Sequence, residues 1–309
     1  MAGGAQPLRG ALAAGGVALA LVLALTLGSL WPLTRAAGGA GLGPADLAAL
    51  RFTLIQALLS AAFSVLGAVP LARALARRRF PLRGPMLALM GAPFLLPAIV
   101  AVLGITAIWG RSGLVSQASV ALGGPRLDIY GLEGVVLGHV FFNLGLVTRL
   151  ILQGWAAVPG EHWRLVSQLG MKSGAVFRVI EWPMLREVLP GAFLIVFLLA
   201  AASFAVALAL GGGPGASTME VAIYEALRFD FDPGRAALLA LMQLGLCAAA
   251  SLAVLALGRA AGFGPGLGLV PLRPEAGGRS LRLLDGAVIG GAALFLFLPL
   301  AALVARGLP

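Results

Sequence analysis

The chain has 309 residues, of which 60% are hydrophobic and only 11% charged, with a formal net charge of +10 and one cysteine. Soluble domains carry about 25% charged residues, so this composition excludes them and describes a protein organised by apolar stretches of about 20 residues that cross a bilayer. The positive residues stand at the ends of those stretches without interleaved aromatics, which excludes a nucleic-acid binder, and a lone Cys247 makes no intrachain disulfide.

Seven stretches read as transmembrane helices. The first, residues 11–31, follows Arg9 and exceeds the roughly 7 to 15 apolar residues of a secretory signal. The second, 52–71, is followed by Arg73, Arg77, Arg78, Arg79 and Arg83 with no acidic residue, the excess that marks a cytoplasmic loop. Pro93 and Pro97 predict a kinked third span over 86–109, and the loop 110–131 falls outside. The fourth span, 132–152, contains His139 and Asn143. Polar groups at that depth face other helices or a water-filled path, and Asn143 is read first as a bond between helices.

Between 155 and 190 lies the one long polar interval. Apolar residues recur at Trp163, Val166 and Leu169, then at Val176, Phe177 and Ile180, which predicts two short amphipathic helices. They meet at Gly170, and Pro183 is expected to end the second because it has no amide hydrogen. Gly170, Ile180 and Pro183 stand at the spacing of the cytoplasmic signature loop of ABC-importer permeases (E-A-A, three residues, G, nine residues, I-x-L-P), and the chain resembles that family here. Arg164, Leu165 and Val166 occupy the E-A-A positions, and Trp182 replaces the leucine. The resemblance implies that Arg164, Leu165, Val166, Gly170, Ile180, Trp182 and Pro183 couple the chain to an ATPase subunit.

The fifth span is read over 188–210. Ser217, with Glu220 three residues later, is a capping-box pattern that predicts a helix start, and Val221, Tyr224 and Leu227 recur on one face of that helix. Asp232 and Pro233 form an N-cap and first-turn pair for the sixth span, 234–257. A Gly- and Pro-rich linker with four arginines precedes the seventh, 285–305. The run SFAVALALGGGP (203–214), followed by Thr218, Glu220, AIY (222–224), Asp230, Asp232, Pro233 and ALLALMQ (237–243), resembles the permeases of thiamine and thiamine pyrophosphate ABC importers, as do QLGMKS (168–173) and FRVIEWPMLR (177–186).

The expected fold class is an all-α integral membrane protein, a MetI-like six-helix permease unit over 1–258 with its coupling loop at 155–187, a cytoplasmic linker at 259–284, and the first helix of a truncated second unit at 285–309. The resemblance implies a permease of the bacterial inner membrane, multi-pass with a cytoplasmic amino terminus, importing thiamine or thiamine pyrophosphate. Its implied partners are ABC ATPase subunits, a periplasmic or lipoprotein substrate-binding protein and a second permease half. No cofactor is expected. Asn143, Ser203 and Phe204 are candidates for the translocation path, and Gly211, Gly212, Gly213, Pro214, Glu220 and Tyr224 for an outer loop. An iron(III) or other small-solute importer is the alternative within the family, and a secondary transporter the alternative outside it. No H-E-x-x-H, paired intramembrane carboxylates or Walker motif stands in the sequence, so ATP chemistry is expected on another chain.

Overall fold

The computed structural model describes residues 9–257 and 277–307, and its regular structure there is helical throughout. In chain order the helices are α1 (Arg9–Ala37), α2 (Pro44–Arg77), α3 (Arg83–Leu89), α4 (Ala92–Leu95), α5 (Ala98–Trp109), α6 (Leu114–Ala121), α7 (Leu132–Ala157), α8 (Gly160–Gln168), α9 (Ser173–Val176), α10 (Trp182–Ala201), α11 (Phe204–Leu210), α12 (Met219–Arg228), α13 (Pro233–Leu257) and α14 (Arg279–Gly307). A π turn, Phe177–Glu181, joins α9 to α10. Among the described residues six segments are long and apolar enough to cross a membrane: Pro44–Arg77, Ala98–Ala121, Leu132–Ala157, Ser173–Ala201, Pro233–Ala256 and Arg279–Ala305. The first expected span, 11–31, lies in α1, several of whose side chains fall outside the described residues.

The centre of the bundle is α2. Its Ala57, Ser60, Ala61, Ser64 and Ala68 are buried, and small residues let neighbouring helices approach where lipid offers no hydrophobic incentive to associate. It runs parallel to α7, with Ser60 beside His139, and antiparallel to α10, with Gln56 at Ala200 and Arg73 at Glu181. At its start the Gly43 N–H donates to Asp46 Oδ2 (2.8 Å), with Pro44 in the first turn.

Several expected elements are redrawn. Residues 83–109 form three helices rather than one kinked span, with Pro97 capping α5, and the loop expected at 110–131 contains α6. Pro183 does not end a helix: it sits in the first turn of α10, directly after the π turn. A proline there removes a donor and crowds the preceding turn, and a π turn relaxes that crowding without stopping the chain. The expected fifth span, 188–210, is instead a helix from Ser173 to Ala201, a break at Ala202 and Ser203, and the separate α11.

Thr218, not Ser217, caps α12, its Oγ1 accepting from Val221 N–H at 3.4 Å. The helix buries Met219, Val221, Ala222 and Ala226, while Tyr224 (37%) and Leu227 (53%) are exposed, so the expected stripe is rotated. Asp232 does cap α13, accepting from Arg235 N–H at 2.9 Å. The last helix starts at Arg279 rather than 285. Most of the expected linker, together with the expected domain boundary at 258, lies in 258–276, outside the described residues.

Candidate functional site

The polar interval folds as α8, a tight turn, α9, the π turn and then α10 without interruption. In α8, Trp163 and Val166 are buried, while Arg164 and Leu165 (56%) are exposed. The three expected E-A-A positions are thereby divided between an inner and an outer face. The helix ends in a Schellman arrangement: Met171 N–H donates to Val166 O (3.2 Å) and Gly170 N–H to Ser167 O (3.2 Å). Gly170 has φ +58°, the left-handed region in which a side chain costs roughly 1–2 kcal/mol. No neighbouring atom crowds it, so the glycine is required by the turn and not by a close approach within this chain.

After the turn, Ile180 is buried, Trp182 exposed (47%) and Pro183 half-buried. Arg164, Lys172, Arg178 and Arg186 are all exposed, giving the loop a cationic outer surface with Leu165 and Leu169 among the charges.

The loop is held from behind by α2. Arg73 Nε donates to Glu181 Oε2 at 2.6 Å, and the Glu181 side chain is 0% exposed. The Arg73 guanidinium also lies 4.5 Å over the Phe177 ring, in the same π turn. Arg77 donates to Ser173 Oγ (3.0 Å) and stands 3.6 Å from Asp285 of α14, to which Arg78 bonds at 2.7 Å. The arginines that read as topology markers are therefore structural contacts as well. Two signals for this were present: Glu181 at the x of I-x-L-P, and Asp285 as the lone acid in α14.

At the far end of α10 the hydrogen bonds are neutral. Gln56 of α2 donates to Ala200 O (2.9 Å) and Gln243 of α13 to Ala201 O (2.9 Å), capping carbonyls that the helix break exposes. Ser203 and Phe204, the expected path residues, lie in and just after this break, and the Phe204 ring is 5.2 Å from that of Tyr224. Asn143 does not bridge helices as expected; its Nδ2 donates to His139 O within α7 (2.8 Å). His139 instead makes the interhelical contact, its Nδ1 lying 3.3 Å from Ser60 Oγ. The amide oxygens of Gln56, Asn143 and Gln243 are buried without a hydrogen-bond partner among the described residues.

The glycines expected in an outer loop form the joint after α11. Gly212 has φ +80°, and a Cβ there would lie 3.1 Å from Tyr130 Cβ, so this turn fits closely against the start of α7. Gly131 N–H donates to Leu210 O (2.8 Å), fixing the same junction. Gly211 is buried, Gly213 has φ +125°, and Pro214 opens a short 3₁₀ turn to Ala216. Glu220 is half-buried in the first turn of α12, where burial pushes its carboxyl pKa up and a contact with Gln243 opposes the shift. The structure thus draws Ser203, Phe204, Tyr224 and Glu220 towards one region and leaves Asn143 on a different helix.

Comparison with known proteins gives a consistent set of relatives. The chain is 45% identical over 306 residues to the thiamine transport system permease protein of Brucella abortus (strain 2308), covering 96% of this chain and 56% of that protein. It is 45% identical over 260 residues to the thiamine transport system permease protein of Salmonella typhimurium, covering 84% of this chain and 48% of that protein. It is 28% identical over 178 residues to the molybdenum transport system permease protein of Azotobacter vinelandii, covering 58% of this chain and 78% of that protein. No protein-family model matches the chain. The chain spans about half the length of the thiamine-transport relatives it matches.

Proposed function

We infer the function from one premise: this chain belongs to the ABC-importer permease family. It is a multi-pass membrane protein, and we propose that it serves in the bacterial inner membrane as permease of a binding-protein-dependent importer. The proposed substrate is thiamine or thiamine pyrophosphate, after the relatives named for thiamine transport along nearly the whole chain. ATP hydrolysis is assigned to separate ATPase subunits, delivery to a periplasmic or lipoprotein binding protein, and completion of the path to a second permease half.

The observation that carries this reading is the geometry of the loop. A short helix on the loop, α8, is closed by a left-handed glycine, and after that turn α9 runs through a π turn into a transmembrane helix without a break in the helical backbone. Such a part can be pushed from outside the bilayer and pass the displacement inward. Arg164, Leu165 and Trp182 face outward as contacts for the ATPase, whereas Val166 and Ile180 hold the loop to the bundle and Gly170 and Pro183 set its shape.

Replacing Gly170 with Glu tests it. ATP-driven uptake by the reconstituted complex is expected to be lost while membrane insertion persists; unchanged uptake would overturn the docking role. Orientation is tested at Lys172, an exposed residue of the loop. Impermeant amine reagents applied from outside should fail to label it, and labelling would put the loop beyond an ATPase's reach. The substrate is tested by which solute, presented with its binding protein, stimulates hydrolysis. Stimulation by iron(III) and not by thiamine would select the alternative importer, and gradient-driven uptake without ATP would select a secondary carrier.

A further inference from the structure

We propose that Arg73, Arg77 and Arg78 form an ionic latch that passes movement of the α8–α9 loop to α2 and α14, so that α10 is not its only outlet. The proposal rests on the reading of that loop as the ATPase-docking element.

Three elements meet at this row of arginines. Arg73 is gripped twice by the π turn, through the Glu181 carboxylate at 2.6 Å and the Phe177 ring at 4.5 Å. Arg77, one helical turn further along α2, touches the loop and α14 together, through Ser173 Oγ at 3.0 Å and Asp285 at 3.6 Å. Arg78 completes the hold on Asp285 at 2.7 Å. Glu181 and Asp285 are both buried, so separating either from its arginine leaves a charge stranded out of water, which is strongly unfavourable. A displacement of the π turn is therefore cheaper when α2 follows it than when the pair opens.

The α14 helix is held in the same way. This helix packs on the bundle along its middle, where Leu296 is buried and the Phe295 ring meets those of Trp109 and Phe141, and the arginine contacts hold it near its start. Arg77 is the shared element, bonded at once to the first residue of α9 and placed beside the buried acid of α14. An isolated stabilising pair would join two elements; this row joins three, one of which is the part expected to receive the push.

The test uses the full-length permease with its ATPase and binding protein in proteoliposomes, measuring uptake and hydrolysis on one preparation. Glu181→Gln and Asp285→Asn are expected to keep hydrolysis stimulated by loaded binding protein while uptake per ATP falls about tenfold, within the range of ordinary intersite coupling. Arg73→Glu combined with Glu181→Arg should restore much of that loss. A merely structural role would lower uptake and hydrolysis together. Should Glu181→Gln fail to assemble, spin labels at Leu169→Cys and Leu283→Cys in a Cys247→Ser background decide the matter: their separation should stay fixed on ATP binding in that protein and change once Asp285→Asn is added. Normal uptake per ATP in the variants, or a separation that changes equally in both proteins, would overturn the latch. Cross-linking Leu165→Cys to the ATPase separates the two ideas. No cross-link in the parent protein sinks the docking reading, whereas a cross-link with fully coupled variants sinks the latch alone.

Discussion

The two ends of α10 are secured by different chemistry. At one end a carboxylate and guanidinium meet at 2.6 Å beside an unbroken run through a π turn and a proline. At the other, two glutamine amides from α2 and α13 cap the last carbonyls before the helix breaks. The contrast follows the cost of charge. Near the surface an ion pair can be partly wetted, and Arg73 remains 23% exposed; at bilayer depth a neutral amide satisfies a freed carbonyl without carrying a charge into hydrocarbon. The first end resists separation of its parts, and the second leaves a joint whose backbone groups stay bonded.

The largest effect should come from breaking the charged end. Glu181→Ala strands Arg73, and the unfolding midpoint in detergent should report a loss of about 3 kcal/mol. Replacing Arg73 and Glu181 together by Met and Leu should recover most of it, and failure to recover would mean that the Phe177 contact matters more than the pair. At the neutral end Gln56→Leu orphans Ala200 O and should cost about 2 kcal/mol by the same assay. A loss as large as that for Glu181 would erase the distinction between the two ends. Thr218→Ala removes the cap of α12 beside the joint, for about 1 kcal/mol, seen as faster amide exchange in Val221 and its neighbours.

The smallest effect is a pH dependence confined to the neutral end. Burial raises the Glu220 pKa, so the folded protein keeps this proton to higher pH than the unfolded chain, in which the group titrates near 4.5. Its contribution to stability is full below that value and is lost as pH rises through the folded pKa. Glu220→Gln should flatten the decline, and an unchanged pH profile would remove Glu220 from it.

Gly170 made the turn between the two short helices legible in sequence, because a left-handed turn requires particular residues. The Asp232 cap was legible for the same local reason. Pro183 was misread as a stop because proline rules treat an α-helix, and nothing local in FRVIE announces a π turn ahead of it. The break at Ala202 and Ser203 was hidden in a continuous apolar run, since it is supported by Gln56 and Gln243 from distant parts of the chain. Ser217 and Thr218 are adjacent hydroxyls, both favoured at N-caps, so local chemistry did not single out Thr218; beside its cap bond, Thr53 Oγ1 accepts from Met219 N–H at 2.8 Å. The arginines at and just beyond the end of α2 read as topology markers in the sequence, while their partners stayed hidden, because Glu181 and Asp285 lie over a hundred residues away.

Gln56 and Arg73 both belong to α2 and hold α10 at opposite ends. At 1.5 Å per residue they stand about 25 Å apart, most of the roughly 30 Å thickness of the hydrocarbon layer. Two helices riveted at both margins cannot slide lengthwise past each other or fan apart. Any tilting of either helix is therefore expected to swing α2 and α10 as one plank, with the shear falling on its seams with the neighbouring helices.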